Sequence, residues 1–264
     1  MKDLAILLAT TVLALCQQPS PSVRAVEYPA PLIREQQEVT VNGRQEIWQL
    51  QWAAAPEPFC SPSELSLSCP CMGFAYGETG DLSLARLRDG AEIDRLHFTP
   101  LSSVEGEKVA LQRWPVDDQD FRDPEIHDLP NRITHRPVVQ AMQFADYDHT
   151  GESTEFYLQT GTEPCGKSMG IVVGVSQDRP KLHAVTTASH PERPLVLFKH
   201  EWEALHDARS SPVDALESPC GDHGAEFETR VLMSWGKKGL LVSRREYTCP
   251  VPGAAKRLIR SEKL

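Results

Sequence analysis

The stretch "EVTVNGRQEIWQLQW", residues 38–52, admits few folds. Val39 and Val41 alternate with polar residues on one side of Asn42-Gly43, and Trp48, Leu50 and Trp52 alternate on the other. A period of two sends one face of a strand into a core, and Asn-Gly supplies the positive-φ pair of a tight hairpin turn. The pattern recurs in "DLSLARLRDGAEIDRLHF", with Asp89-Gly90 at the turn, and in "AEFETRVLMSWGKKGLLVSRREYTC", turning at "GKKG". Strand-like runs also stand at "VVQAMQF", "EFYLQTG", "GIVVGVS" and "KLHAVTT". The expected fold is mainly β, its hairpins assembled into a sandwich or a small propeller-like array. One amphipathic helix is expected over about 195–209, where Phe198, Trp202 and Leu205 recur at i, i+4 and i+7 between Pro194 and Pro212. The Pro-containing stretch 26–37 reads as an extended arm, and the C-terminus as a basic tail.

The first 25 residues read as a signal peptide. Lys2 precedes an uncharged run from Leu4 to Leu15, a Pro/Ser stretch follows, and Val23 and Ala25 stand at −3 and −1 of a cleavage site. The run is too short to span a bilayer, and no later segment approaches that length. Cleavage is expected after Ala25. Acylation of Cys16 is the competing outcome, although Leu15 stands where a lipobox has a small residue. The expected location is secreted or periplasmic. Six of the seven cysteines then remain, namely Cys60, Cys69, Cys71, Cys165, Cys220 and Cys249, an even set that reads as disulfides. Cys220 and Cys249 flank the last hairpin and are placed to close its base; Cys165 would then pair with one of Cys60, Cys69 and Cys71.

Residues 115–137 hold four prolines and many acids without a hydrophobic period, so they read as a linker or long loop between a β-hairpin region at 26–114 and a β region at 138–264. The formal charge of −10 argues against nucleic acid and anionic lipid as partners. An extracytoplasmic protein or glycan is the expected class of partner.

The densest chemistry lies in "FADYDHTGESTEF", residues 144–156. Asp146, Asp148 and Thr150 place oxygens at alternate positions, Gly151 permits a sharp turn, Glu152 offers its backbone carbonyl, and Glu155 lies where the chain comes round again. A hard cation such as calcium needs six to eight oxygens on a tightly reversing loop, which a D-x-D-x-[DNST]-G pattern supplies. Tyr157 stands where an EF-hand has its bidentate Glu, and the flanks read as strands, so an EF-hand is excluded. The alternative is a metal-free acidic turn in which Asp146 and Asp148 hydrogen-bond their own loop.

Strand, D-x-D-x-x-G loop, strand and the hairpin "GIVVGVSQDRPKLHAVTT" together resemble one blade of the FG-GAP/VCBS type of secreted β-propeller, over residues 138–187. The resemblance implies calcium held between two strands by Asp146, Asp148, Thr150 and Glu152. Thr154 stands where that family has a further acid, with Glu155 as the substitute.

Other patterns carry less. "GTEPCGKSMG", residues 161–170, matches both a P-loop and a nucleophile elbow around Ser168, but each needs a helix next and "MGIVVGVS" reads as a strand. "CPCM" suits disulfides better than a soft metal in an oxidising compartment. In "KHEWEALH", His200, Glu203 and His206 read as the solvated face of the helix, and the acids of 117–128, with His127 and His135 nearby, as a solvated loop. The expected function is a secreted, non-catalytic binding or structural β module stabilised by calcium. The alternative is a secreted hydrolase whose site is assembled from loop acids and histidines.

Overall fold

The computed structural model describes residues 30–59, 77–99, 108–115, 135–162, 167–176, 178–236, 239–249 and 255–264. The leader, Cys16, Cys60, Cys69, Cys71, Cys165, His127, the acids of 117–128 and the tip of "GKKG" lie outside the described residues.

The chain enters as β1 (Leu32–Val41) and returns as β2 (Arg44–Trp52) around Asn42 and Gly43, whose φ angles of 49° and 74° are the left-handed pair of a type I′ turn. After the two-residue β3 (Glu57–Pro58) and the short β4 (Glu78–Gly80), a second hairpin runs from β5 (Leu82–Arg88) to β6 (Ala91–His97) through Asp89 and Gly90 at 52° and 79°. The first sheet has the order β1-β2-β5-β6, and β7 (Val109–Leu111) joins β3 and β4 in a small sheet.

The central sheet contains β8 (Phe144–Ala145), β9 (Glu155–Thr162), β10 (Ser168–Gly174) and β11 (His183–Ala184), with β12 (Leu197–Phe198) also paired to β10. Helix α1 (Lys199–Asp207) follows, and a third sheet is built from β13 (Val213–Ser218), β14 (Phe227–Gly236), β15 (Gly239–Thr248) and β16 (Leu258–Lys263). Every sheet is antiparallel, none closes into a barrel, and the mainly β architecture is sandwich-like, with one α-helix among the described residues.

Two hydrophobic cores lie against the central sheet. Trp48, Leu50, Leu82 and Leu84 of the first sheet pack with Phe156, Leu158, Ile171 and Val173. Val172 belongs to the other core, with Leu197, Trp202 and Leu205 around the helix and Val231, Met233, Leu240 and Val242 of the third sheet. Strand β10 therefore sends alternate side chains into different cores, which is why "GIVVGV" is apolar without a break. Trp202 is fully buried and donates its indole N–H to the Gly170 carbonyl at 3.0 Å, fixing the helix to β10.

Four expectations change. The "extended arm" is already β1 from Leu32, anchored by Arg34 on Glu78 and by a bulge between Ile33 and Glu35. That bulge releases the Glu35 carboxylate to accept the Ala141 and Met142 N–H groups, at 2.6 and 3.1 Å. "VVQAMQF" accordingly has side-chain acceptors in place of a ladder for these two groups, and only Phe144 of it enters β8. The helix covers Lys199–Asp207 and not 195–209, because Leu197 and Phe198 are taken into β12 and Glu201 reaches back to the Phe198 N–H at 2.8 Å. The basic tail ends in β16, paired with β15.

Cys220 and Cys249 are bonded, with Cα atoms 5.6 Å apart, at the base of the β14–β15 hairpin where Phe227 faces Thr248. Among the described residues no helix is long and apolar enough to cross a membrane.

Adjacent residues of β15 test the two-faced third sheet. Leu240 is fully buried while Leu241 is 51% exposed. Leu240→Ala is expected to cost about 2–5 kcal/mol and Leu241→Ala about 1 kcal/mol or less, read as shifts in urea midpoint at constant slope.

Candidate cation site and adjoining cleft

The loop between β8 and β9 is shaped by its own sequence. Asp146 accepts the N–H groups of Thr150 and Gly151, each at 2.9 Å, and Asp148 Oδ1 accepts the Thr150 N–H at 3.1 Å and its hydroxyl at 2.7 Å. His149 and Gly151 adopt φ of 58° and 91°, which reverses the chain within a few residues. Three outside contacts then hold the loop. His149 Nε2 donates to the Leu205 carbonyl of α1 at 3.0 Å, Trp235 Nε1 donates to the Tyr147 carbonyl at 3.1 Å, and the Tyr147 ring meets Trp202 edge-on, 6.3 Å between centroids.

Glu155 opens β9 directly opposite Gly174 of β10. A Cβ on Gly174 would stand 2.2 Å from the Thr154 carbonyl oxygen and 2.9 Å from Glu155 Cγ, so a bare backbone is required beside that side chain. Glu155 is 3% exposed, and its Oε2 accepts the Tyr147 N–H at 3.2 Å. The result is a convergence: one carboxylate oxygen from each of Asp146, Asp148 and Glu155 lies within 4.8 Å of the others. Such a group can hold a metal ion.

Of the residues singled out from sequence, these three bring their carboxylates together, and Thr150 Oγ1 lies 2.7 Å from Asp148 Oδ1 beside them. The Thr150 hydroxyl donates its proton to Asp148 and keeps its oxygen lone pairs as acceptors. The Glu152 carboxylate turns away to the Asn42 N–H at 3.3 Å, and its carbonyl accepts the Thr154 N–H at 3.1 Å. Thr154 is buried and donates to the Val175 carbonyl at 2.9 Å, tying β9 to the end of β10.

The hydrogen bonds expected of a metal-free acidic turn are therefore present, but they do not saturate the group. A carboxylate has about four acceptor positions, and among the described residues nothing donates to Asp148 Oδ2. Nor does any cation among the described residues pair with the three acids. Burial consequently dominates. It pushes the Glu155 carboxyl up to about 8, with the Asp148 and Asp146 charges adding to the effect and the Tyr147 and Thr154 hydrogen bonds opposing it. Asp148 is raised as well, first by burial, against its bonds to Thr150 and with the neighbouring Asp146.

Asp148 and Glu155 open onto a cleft of about 430 Å³, lined also by Asp178, Arg179, His183 and Trp235. The His183 ring is pushed below its usual range by burial and the Arg179 charge, and its Nδ1 lies 2.9 Å from the Lys181 carbonyl. That carbonyl can only accept, so the neutral ring carries its proton on Nδ1 and leaves Nε2 as an acceptor. No linear spacing ties these residues to the acidic loop; β10, β11 and β14 carry them there. The other patterns acquire structural duties. Ser168 begins a strand, Lys167 pairs with Asp222 at 2.6 Å, His200 meets the Leu216 carbonyl at 2.8 Å, and His206 pairs with Asp207. His135 is exposed.

No family model, curated protein or solved structure gives a significant match to this chain.

The raised carboxyls fix the sign of the pH response in chelator. The folded protein holds the Glu155 proton to about pH 8, whereas the unfolded chain releases it near the ordinary 4.5. Between those values the native state binds more protons, so the stability that Glu155 itself contributes is fully present below about 4.5 and is lost as pH rises toward 8. Glu155→Gln is expected to flatten that fall, measured as urea midpoints across the same range.

Proposed function

We propose that the protein is an extracytoplasmic binding module whose loop from Asp146 to Glu155 takes a calcium ion and thereby orders the cleft beside it. The observation that carries this reading is the convergence of Asp146, Asp148 and Glu155 without a cationic partner among the described residues. An all-oxygen donor set selects a hard cation, and calcium accepts the irregular geometry that three carboxylates and cleft water would provide. An ion here would displace the Glu155 proton and relieve the repulsion from Asp148. The resemblance to an FG-GAP/VCBS blade supports the same assignment through the D-x-D-x-x-G loop between β8 and β9. The Cys220–Cys249 disulfide, together with the sequence of residues 1–25, supports an oxidising, calcium-rich location. The cleft, which offers Trp235, Arg179, His183 and acids, would receive the ligand, a protein segment or a glycan.

One observation favours a second reading. A carboxyl holding its proton to about pH 8 beside Asp148, at the wall of a cleft containing His183, is how a hydrolase stores a general acid. A melting experiment separates the two. In calcium at a hundred times its dissociation constant the oxidised protein is expected to melt about 5–10 °C higher than in chelator, and Asp146→Ala is expected to abolish the difference. No calcium effect in the unsubstituted protein would sink the module reading and leave Glu155 as an acid.

A further inference from the structure

A second cavity, of about 500 Å³, lies on the first sheet beside the segment that follows β10, and its walls carry charge of the opposite sign. Arg44, Arg86, Arg88 and Lys181 line it, with Asp94 as the one acid among the lining residues. Such a concentration of cations is unexpected in a chain of net charge −10.

The acids nearby are already committed. Glu46 is buried and accepts four donors: Arg86 Nε at 2.7 Å and Trp48 Nε1 at 3.0 Å on one oxygen, a second Arg86 nitrogen at 2.9 Å and an Arg88 nitrogen at 2.5 Å on the other. Asp94 accepts the Leu182 N–H at 2.6 Å on one oxygen, which lies 3.7 Å from Arg86, and the Arg95 N–H at 3.0 Å on the other. Arg86 spends its remaining nitrogen on the Pro180 carbonyl at 2.6 Å. What is left over is cationic. Arg88 Nε is enclosed and has no acceptor, and the side chains of Arg44 and Lys181 pair with no acid among the described residues.

Their mounting is rigid. Arg44 follows the type I′ turn, whose Asn42 N–H is held by Glu152. Lys181 stands between Pro180 and Leu182, one bonded to Arg86 and the other to Asp94. Three separate stretches of chain thus hold fixed the backbones from which these donors reach one cavity, and the exposed Arg44 and Lys181 side chains are ordered when an anion binds.

We propose that this cavity binds a tetrahedral oxyanion, a phosphate or sulfate group, with Arg44, Arg88 and Lys181 as its donors. A carboxylate offers one planar edge and is served by a single guanidinium fork; an anion with oxygens in several directions uses donors from three segments. Glu46 and Arg86 are positioning residues that hold Arg88 and the Pro180 segment in place.

Calorimetric titration of the full chain with inorganic phosphate, with inorganic sulfate and with acetate, at an ionic strength fixed by chloride, tests this. The expected result is saturable binding of one or both ions, weakened about tenfold or more by Arg44→Gln and by Lys181→Gln. Both side chains are exposed, so the variants are expected to melt like the unsubstituted protein in chloride alone. The preferred ion tells whether a phosphate or a sulfate ester is the natural group. Absence of saturable heat, binding unaffected by both substitutions, or a preference for acetate over both tetrahedral ions would each overturn the proposal.

Discussion

Strand β10 is buried on both faces, and the rest of the architecture follows from that constraint. Ile171 and Val173 point to the core shared with the first sheet, while Val172 points to the core shared with the helix and the third sheet. A strand with no solvent face must be covered twice, which is why the sheets stack on either side of the central one. Within the central sheet, the close approach of β9 to β10 also excludes side chains at two positions. A Cβ on Gly170 would lie 2.2 Å from the Leu158 carbonyl oxygen, and one on Gly174 would lie equally close to that of Thr154. Gly174 is the point at which packing and chemistry meet, because the room it leaves is where Glu155 turns.

Two buried glutamates show what that placement means. Glu46 and Glu155 are 2% and 3% exposed, and burial raises the proton affinity of each. Around Glu46, hydrogen bonds from Arg86, Arg88 and Trp48 with the Arg86 charge outweigh burial and hold the carboxyl below its usual range. Around Glu155 the nearest charges are Asp148 and Asp146, so burial and repulsion act together. A buried carboxyl of the first kind is a finished structural ion pair. One of the second kind is electrostatically incomplete and takes either a proton or a cation.

The legible parts of the sequence were those in which local chemistry and tertiary packing agree. Asn42-Gly43 and Asp89-Gly90 sit in the left-handed region that their turns demand; beside the first, Val39, Val41, Trp48, Leu50 and Trp52 are buried as their alternation requires, whereas beside the second Leu82 to Arg86 are all buried and Ile93 is exposed. "VVQAMQF" misled because Ala141 and Met142 hydrogen-bond to Glu35, a partner more than a hundred residues away. The helix was overextended because Leu197 and Phe198 are apolar in either state, and pairing with β10 decided between them. Asp146 and Asp148 were legible from loop spacing, as was the position of Glu155, but its burial depends on Gly174 across the ladder. Arg179, His183 and Trp235 left no linear trace, since three different strands or their ends bring them to the cleft. The Arg86–Glu46 pair was equally silent: both charges lie within strands that read as simple alternation, with Arg86 opposite Trp48 in the ladder.

The central claim is that Glu155 keeps a proton which a cation displaces. Calorimetric titration with calcium near neutral pH, in two buffers of different ionisation enthalpy, counts that proton directly. The account predicts about one proton released per calcium bound, falling toward zero as pH passes about 8. Binding without proton release would contradict the protonated Glu155 ligand, and absence of binding would contradict the site itself.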